Sequence, residues 1–303
     1  MRIDTHWDTP MYLLKTDDLW HLPEAQADLQ RLTQHIDVGV LAIYLDDNDY
    51  LGREADTFRF IQKKLNASIA MHADQIAVLH DRKQLAAGGK YGIIAAEGGR
   101  CLGAHGENLS EFFENGMRWL GLTWNYRNAL AGGAKEENDL TEVGKQVVKR
   151  CGELGIVVDT AHLGETSFWQ LVKFTDRPIV CSHTACRHLC PEAGVRAFSD
   201  EQLKAVAALG GVTGMCFVPS FLGGQPGVAR VADHIEHAAE VAGIDHVGLG
   251  SDLDGCQPPV ELNRLEKQYV LWDELRRRGW KEEEIDKVAG NNFRRVLQEV
   301  LPK

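Results

Sequence analysis

No stretch of this chain is both apolar and long enough to span a bilayer. Its first ten residues, MRIDTHWDTP, carry Arg2, Asp4, His6 and Asp8 where a secretory leader would place a basic end and a hydrophobic run. The tail, RRVLQEVLPK, is charged and amphipathic, unlike the apolar tail of a lipid-anchor signal. Basic charge is also short: 33 Lys and Arg stand against 44 Asp and Glu, a net charge of -11. That balance argues against a nucleic-acid partner, whose phosphates are held by clustered cations. The expected partner is a small molecule, with no membrane, and the expected location is the cytoplasm. The seven cysteines are an odd number scattered along the chain, which suits reduced thiols and not a disulfide framework. Three of them crowd CSHTACRHLC around His183 and His188, but no C-x-x-C pair is present, so a structural zinc knuckle is not expected there. Missing too is a glycine-rich phosphate loop after the first strand, the usual signature of a doubly wound nucleotide-binding sheet.

What is present is a regular alternation. The 303 residues, 44% hydrophobic and 25% charged, suffice for one large domain over 1–303. Eight short apolar runs recur: MRIDTH, VGVLAIYL, YGIIAAEGG, MRWLGLTW, GIVVDTAH, PIVCSH, GGVTGMCF and HVGLGSD. Most are continuous and not alternating, as parallel strands covered on both faces require. Helical patterns lie between them. SDEQLKAVAALGG has a capping Ser199 or Asp200 and a Gly210-Gly211 stop, and TEVGKQVVKRCGELG follows the same plan. DTFRFIQKKLNASIAMHADQ predicts a long helix in the stretch from about 46 to 80. The alternation predicts an α/β fold, a (β/α)8 TIM barrel with additional C-terminal helices, in KEEEIDKVAGNNFRRVLQEVL, packed outside or beyond it.

Polar residues cluster at the ends of the predicted strands. His6 and Asp8 follow the first run, Glu97 ends the third, His162 the fifth and His183 the sixth, and Asp252 ends the eighth. A barrel builds its catalytic face there. Each residue alone reads as an ordinary capping or core group. Together, three histidines and three carboxylates buried at an apolar mouth would be costly without a neutralising cation. Imidazole with carboxylate favours Zn2+ or a similar first-row divalent ion over Ca2+ or Mg2+, which prefer oxygen shells.

The segments DTHWDTP, AAEGG, VVDTAH, VCSHTACR, VRAFSDEQL and DHIEHAAEVAGIDHVGLGSDLDG occur in order along nearly the whole chain. In that order they resemble the signatures of the membrane (renal) dipeptidase family, zinc peptidases of the amidohydrolase superfamily. The resemblance implies two Zn2+ ions per chain, with His6 and Asp8 on one, His162 and His183 on the other, and Glu97 bridging them. It also implies that Asp252 is the catalytic aspartate, that Arg196 pairs with the substrate carboxylate, and that the protein is a homodimer. The implied reaction is hydrolysis of a dipeptide, including one with a D-residue at its C-terminal side, by a metal-bridging hydroxide. Asp254, two residues beyond Asp252, reads as a loop-capping carboxylate.

Two positions depart from the family. Trp124, in LTWNYRN, stands where the mammalian members carry a histidine that contacts the substrate carbonyl, and Ala197 replaces the usual asparagine. An indole N–H donates one hydrogen bond and carries no charge. Oxyanion stabilisation then falls to zinc or to a neighbour such as Asn125. Trp124 and Ala197 keep open a second reading, an amidohydrolase of N-acyl amino acids, cyclic amides or lactones. A third reading is a metal-stabilised scaffold without catalysis, for which Asp252 would serve no purpose.

Overall fold

The computed structural model describes residues 1–303. Nine strands form one parallel sheet: β1 (Ile3–Trp7), β2 (Val38–Tyr44), β3 (Ala77–Val78), β4 (Tyr91–Glu97), β5 (Met117–Gly121), β6 (Val157–Asp159), β7 (Val180–Thr184), β8 (Val212–Met215) and β9 (Val247–Leu249). They pair in the order β1-β2-β4-β5-β6-β7-β8-β9. Eight of them correspond to the eight apolar runs. The ninth, β3, is a two-residue addition beside the start of β4. The barrel closes just past the ends of its first and last strands, where Asp252 N donates to His6 O (3.1 Å) and Asp8 N to Leu253 O (3.0 Å).

The helices between strands follow their caps. Ser199 accepts from Gln202 N, and the Gln202 side chain returns the bond, opening the helix Asp200–Ala208 with a full capping box. Thr141 caps Glu142–Leu154, and Gly155 ends it in the left-handed region (φ 81°), where a side chain would be strained. The predicted long helix spans Glu54–Met71. No helix is long and apolar enough to cross a membrane. All seven cysteines are free, six of them buried.

Two apolar cores result. The larger lies between the outer faces of the strands and the surrounding helices. The smaller fills the barrel with alternate strand residues, among them Ile3, Val38, Val40, Ile93, Ala95, Trp119, Val157, Val180 and Val212. The last helix, Asn292–Val300, contributes Phe293, Val296 and Leu297 to this inner core. It therefore closes the floor of the barrel instead of lying on its outer wall. Its approach to β1 depends on Gly290, because a Cβ there would collide with Met1 O and Ile3 N. Above Trp119 the filling turns polar. Trp119 Nε1 donates to Asp159 Oδ2 (2.8 Å), while Asp159 Oδ1 accepts from Ala161 N (3.0 Å) and Ser182 N (2.9 Å). These bonds satisfy a buried carboxylate and fix the exits of β6 and β7 directly under the site.

Candidate metal centre

The strand exits bring His6, Asp8, Glu97, His162, His183 and Asp252 together at the upper rim, all buried. His6 and His183 lie within β1 and β7, and Glu97 ends β4. His162 and Asp252 follow β6 and β9, both in the left-handed backbone region (φ 63° and 64°). That conformation is uncommon for residues with side chains and collects at functional sites. His6, Asp8 and Glu97 place one ligand atom each within 4.8 Å of one another, and so do Glu97, His162 and His183. Glu97 thus belongs to both sets. Its Oε2 lies 3.3 Å from His6 Nε2, and its Oε1 lies 3.0 Å from His162 Nε2 and 3.7 Å from His183 Nε2.

The fit to a cation rests on three observations. His6 Nε2 and Asp8 Oδ1 are buried without a hydrogen-bond partner, a costly state for polar atoms. His162 Nε2 and His183 Nε2 face each other at 3.1 Å, near the roughly 3.3 Å that bonds of about 2.0 Å impose between donors in a tetrahedral zinc shell. Gly255 also leaves a gap beside the carboxylates, since a Cβ there would strike both Asp8 Oδ2 and Asp252 Oδ1.

The second nitrogens of two imidazoles are engaged. His162 Nδ1 meets Asn125 Oδ1 at 3.1 Å and His183 Nδ1 meets Ser182 Oγ at 2.8 Å. Such partners hold each ring with Nε2 aimed inward. Asn125, expected against the substrate, therefore stands behind His162 and outside the cavity lining.

Buried charges of both signs perturb one another in the cluster. Burial would depress His6, but Glu97, Asp8 and Asp252 outweigh it and lift the imidazole to about 10. Burial raises Asp8 well above the usual carboxylate range, aided by Glu97, and raises Asp252 to about 6 against the opposing pull of His6. Burial also acts on Glu97, yet His6 and His162 hold it well below its ordinary value. Burial, then Arg196, depresses His162 to about 4, and burial with His6 depresses His183. The carboxylates around His6 thus favour positive charge at this end of the barrel.

Arg196 is buried with Nε unpartnered, its Nη2 3.2 Å from His162 Nε2 and its guanidinium 5.1 Å from the Phe221 ring centroid. No carboxylate pairs with it, so it is free to receive an anion. Above the cluster opens a cavity of about 590 Å³. Met11, Leu14, Tyr44, Tyr50, Trp124, Val218 and Phe221 wall it, with Lys15 and Cys256 beside them. Trp124 packs edge-on against Tyr44 at 5.0 Å and lies 6.0 Å from the His162 ring. Tyr44 went unnoticed in the sequence, although it ends β2 in register with Glu97, the same strand-end position that singled out the acids. Asp254 accepts from Thr9 Oγ1 (2.5 Å), Gln26 N (2.7 Å) and Ala27 N (3.3 Å), clasping two loops as its capping role required.

The family model for membrane dipeptidases, Peptidase family M19, matches residues 1–301. An uncharacterised protein of the pqqA 5' region of Klebsiella pneumoniae is 30% identical over 222 residues, 69% of this chain and 81% of its own length. Dipeptidase 3 of Rattus norvegicus is 30% identical over 219 residues, 69% of this chain and 44% of its own length. Among solved structures, dipeptidase AC, a metallopeptidase, superposes with a TM-score of 0.90 at 24% identity, covering 99% of this chain and 98% of that one. A Rhodobacter sphaeroides metallopeptidase bound to a phosphinate mimic of L-Ala-D-Ala gives 0.87 at 24%, covering 99% of each. Those two likenesses bear on the fold. The family match extends from the first ligand strand to the floor helix, and the chain belongs to the membrane dipeptidase family of metal-dependent hydrolases.

Proposed function

We propose that this chain is a two-zinc dipeptidase, and one observation carries the reading: Glu97 is shared by two buried ligand sets, in one of which His6 Nε2 and Asp8 Oδ1 lack hydrogen-bond partners. His6 and Asp8 would hold one ion, His162 and His183 the other, with Glu97 between. Zinc held by these residues would supply Lewis acidity toward the scissile carbonyl and would lower the pKa of the attacking water. Arg196 receives the substrate's carboxylate as a guanidinium fork. Asp252, 4.0 Å from His6 Nε2 and open to the cavity, takes the water's proton and returns it to the leaving amine. Tyr44, Tyr50, Trp124 and Phe221 keep bulk water from the reacting centre. A C-terminal D-residue is included in the proposal, with Arg196 reaching its carboxylate from beside His162 and Phe221 at the cavity edge. A cytoplasmic location belongs to the same proposal, supported by seven unpaired thiols; so do a single domain over 1–303, supported by the chain's length and composition, and a homodimer, which the family resemblance implies.

The test is turnover of a dipeptide panel, L-Ala-D-Ala included, by zinc-loaded protein with Asp252→Asn as control. Cleavage of at least one dipeptide above that control is expected, and its absence across the panel sinks the reading. Trp124, uncharged beside His162, favours one alternative: an amide or lactone without a free carboxylate. Turnover of such a substrate would survive Arg196→Ala, whereas dipeptide turnover would collapse.

A further inference from the structure

His188, in the segment CSHTACRHLC, contributes nothing to the rim. Its exposed ring instead stacks on His237, with centroids 4.7 Å apart and planes 8° from parallel. His237 Nε2 lies 2.8 Å from Asp200 Oδ1. His188, Asp200 and His237 place one ligand atom each within 4.8 Å of one another, on the outer side of the barrel and apart from the site above. Donors in a tetrahedral shell sit roughly 3.3 Å apart with their lone pairs converging, so binding requires the exposed His188 ring to turn out of its parallel stack on His237 until both rings face one point. We propose that these three residues form a third, peripheral metal site for a first-row divalent ion such as Zn2+.

The donors define the ion. Two imidazoles and one carboxylate match zinc, nickel or copper and disfavour magnesium and calcium. Water fills the remaining positions, because the site lies open on the surface. The donors come from three places in the fold: His188 from the loop after β7, Asp200 from the first turn of the helix Asp200–Ala208, and His237 from the helix Val228–Ala242.

Their positions give the site a consequence. The loop 185–199 leaves β7 and returns beside itself, with Arg187 N donating to Phe198 O (2.8 Å) and Phe198 N to Ala185 O (2.9 Å). Arg196 lies on the return limb, where its carbonyl accepts from Thr184 Oγ1 (2.7 Å). An ion shared by His188 and Asp200 ties the two limbs together, and His237 fastens both to the neighbouring helix. The site staples the loop that presents Arg196.

The test uses metal-free full-length protein, equilibrium dialysis against Zn2+, and a count of ions per chain. Wild type, Glu97→Gln, Asp200→Asn and the double variant His188→Ala/His237→Ala are compared, with circular dichroism establishing that each is folded. The double variant and Asp200→Asn should each hold one ion fewer than wild type. Zinc should slow amide exchange across 187–200 less in the double variant than in wild type. An equal ion count in wild type and the double variant overturns the proposal, whatever becomes of the rim site.

Discussion

The upper rim and the floor of this barrel close the same eight-stranded cylinder with opposite materials. At the rim, three imidazoles, three carboxylates and an unpaired guanidinium are buried together, and several of their atoms have no partner. At the floor, Phe293, Val296, Leu297 and Leu301 fill the opening with hydrocarbon, and each is at most 1% exposed. Apolar packing needs nothing further to be stable, whereas buried charge needs a counter-ion. The difference teaches that stability is concentrated below and reactivity above, so substitutions at the two ends should separate activity from folding.

The largest effect should come from Asp252→Asn at the rim. Turnover should fall by about 10²–10⁴-fold through loss of the acid-base group, while the unfolding midpoint of the metal-free protein stays the same or rises, because a carboxylate disfavoured by burial has gone. A large fall in that midpoint would erase the contrast between the two ends. The reverse experiment is Phe293→Ala, which should cost about 3–5 kcal/mol in denaturant unfolding and leave kcat per folded molecule unchanged. Next in size, Asn125→Ala removes the group behind His162 and should weaken zinc binding by about 10–100-fold, measured by competition with a chelator. If affinity is unchanged, the Asn125–His162 contact does not orient the ring.

The smallest effect concerns pH. Asp252 is lifted to about 6 and Asp8 is raised well above the usual carboxylate range. A carboxyl raised on folding stabilises the protonated native chain, and that stability is lost as pH climbs from about 4, where unfolded carboxyls ionise, through the folded value. A bound cation cancels the cost, and its ligands must also be deprotonated to bind it. Zinc should therefore raise the Tm more at pH 8 than at pH 5; equal shifts would mean that the acids at the rim are not relieved by metal.

The strands were readable in the sequence because each is a continuous apolar run, and the ligand candidates were readable because each stands at such a run's exit. β3 was not, since two residues carry no periodicity. The tail was recognisable as helical, but its place under the barrel depends on Gly290 meeting β1, a contact between the two ends of the chain that no local pattern encodes. Ser182 carried no signal, and Asn125 was a candidate for the oxyanion and not for the ring it touches. Their importance lies in which ring nitrogen they touch, and that is fixed only when β5, β6 and β7 stand side by side. The cluster of His188, Asp200 and His237 likewise joins three elements separated along the chain, and stacking of two rings is invisible in one dimension.

The closure of the barrel also has a consequence in time. β1 is made first, but its edge is sealed by Leu253 and its base by the helix carrying Phe293. At ordinary synthesis rates of about 5–20 residues per second, the 246 residues separating His6 from Asp252 keep that first strand without its second neighbour for on the order of ten to fifty seconds. During this interval the backbone edge that Leu253 later covers stays open on the nascent chain, because β2 pairs with the opposite edge of β1.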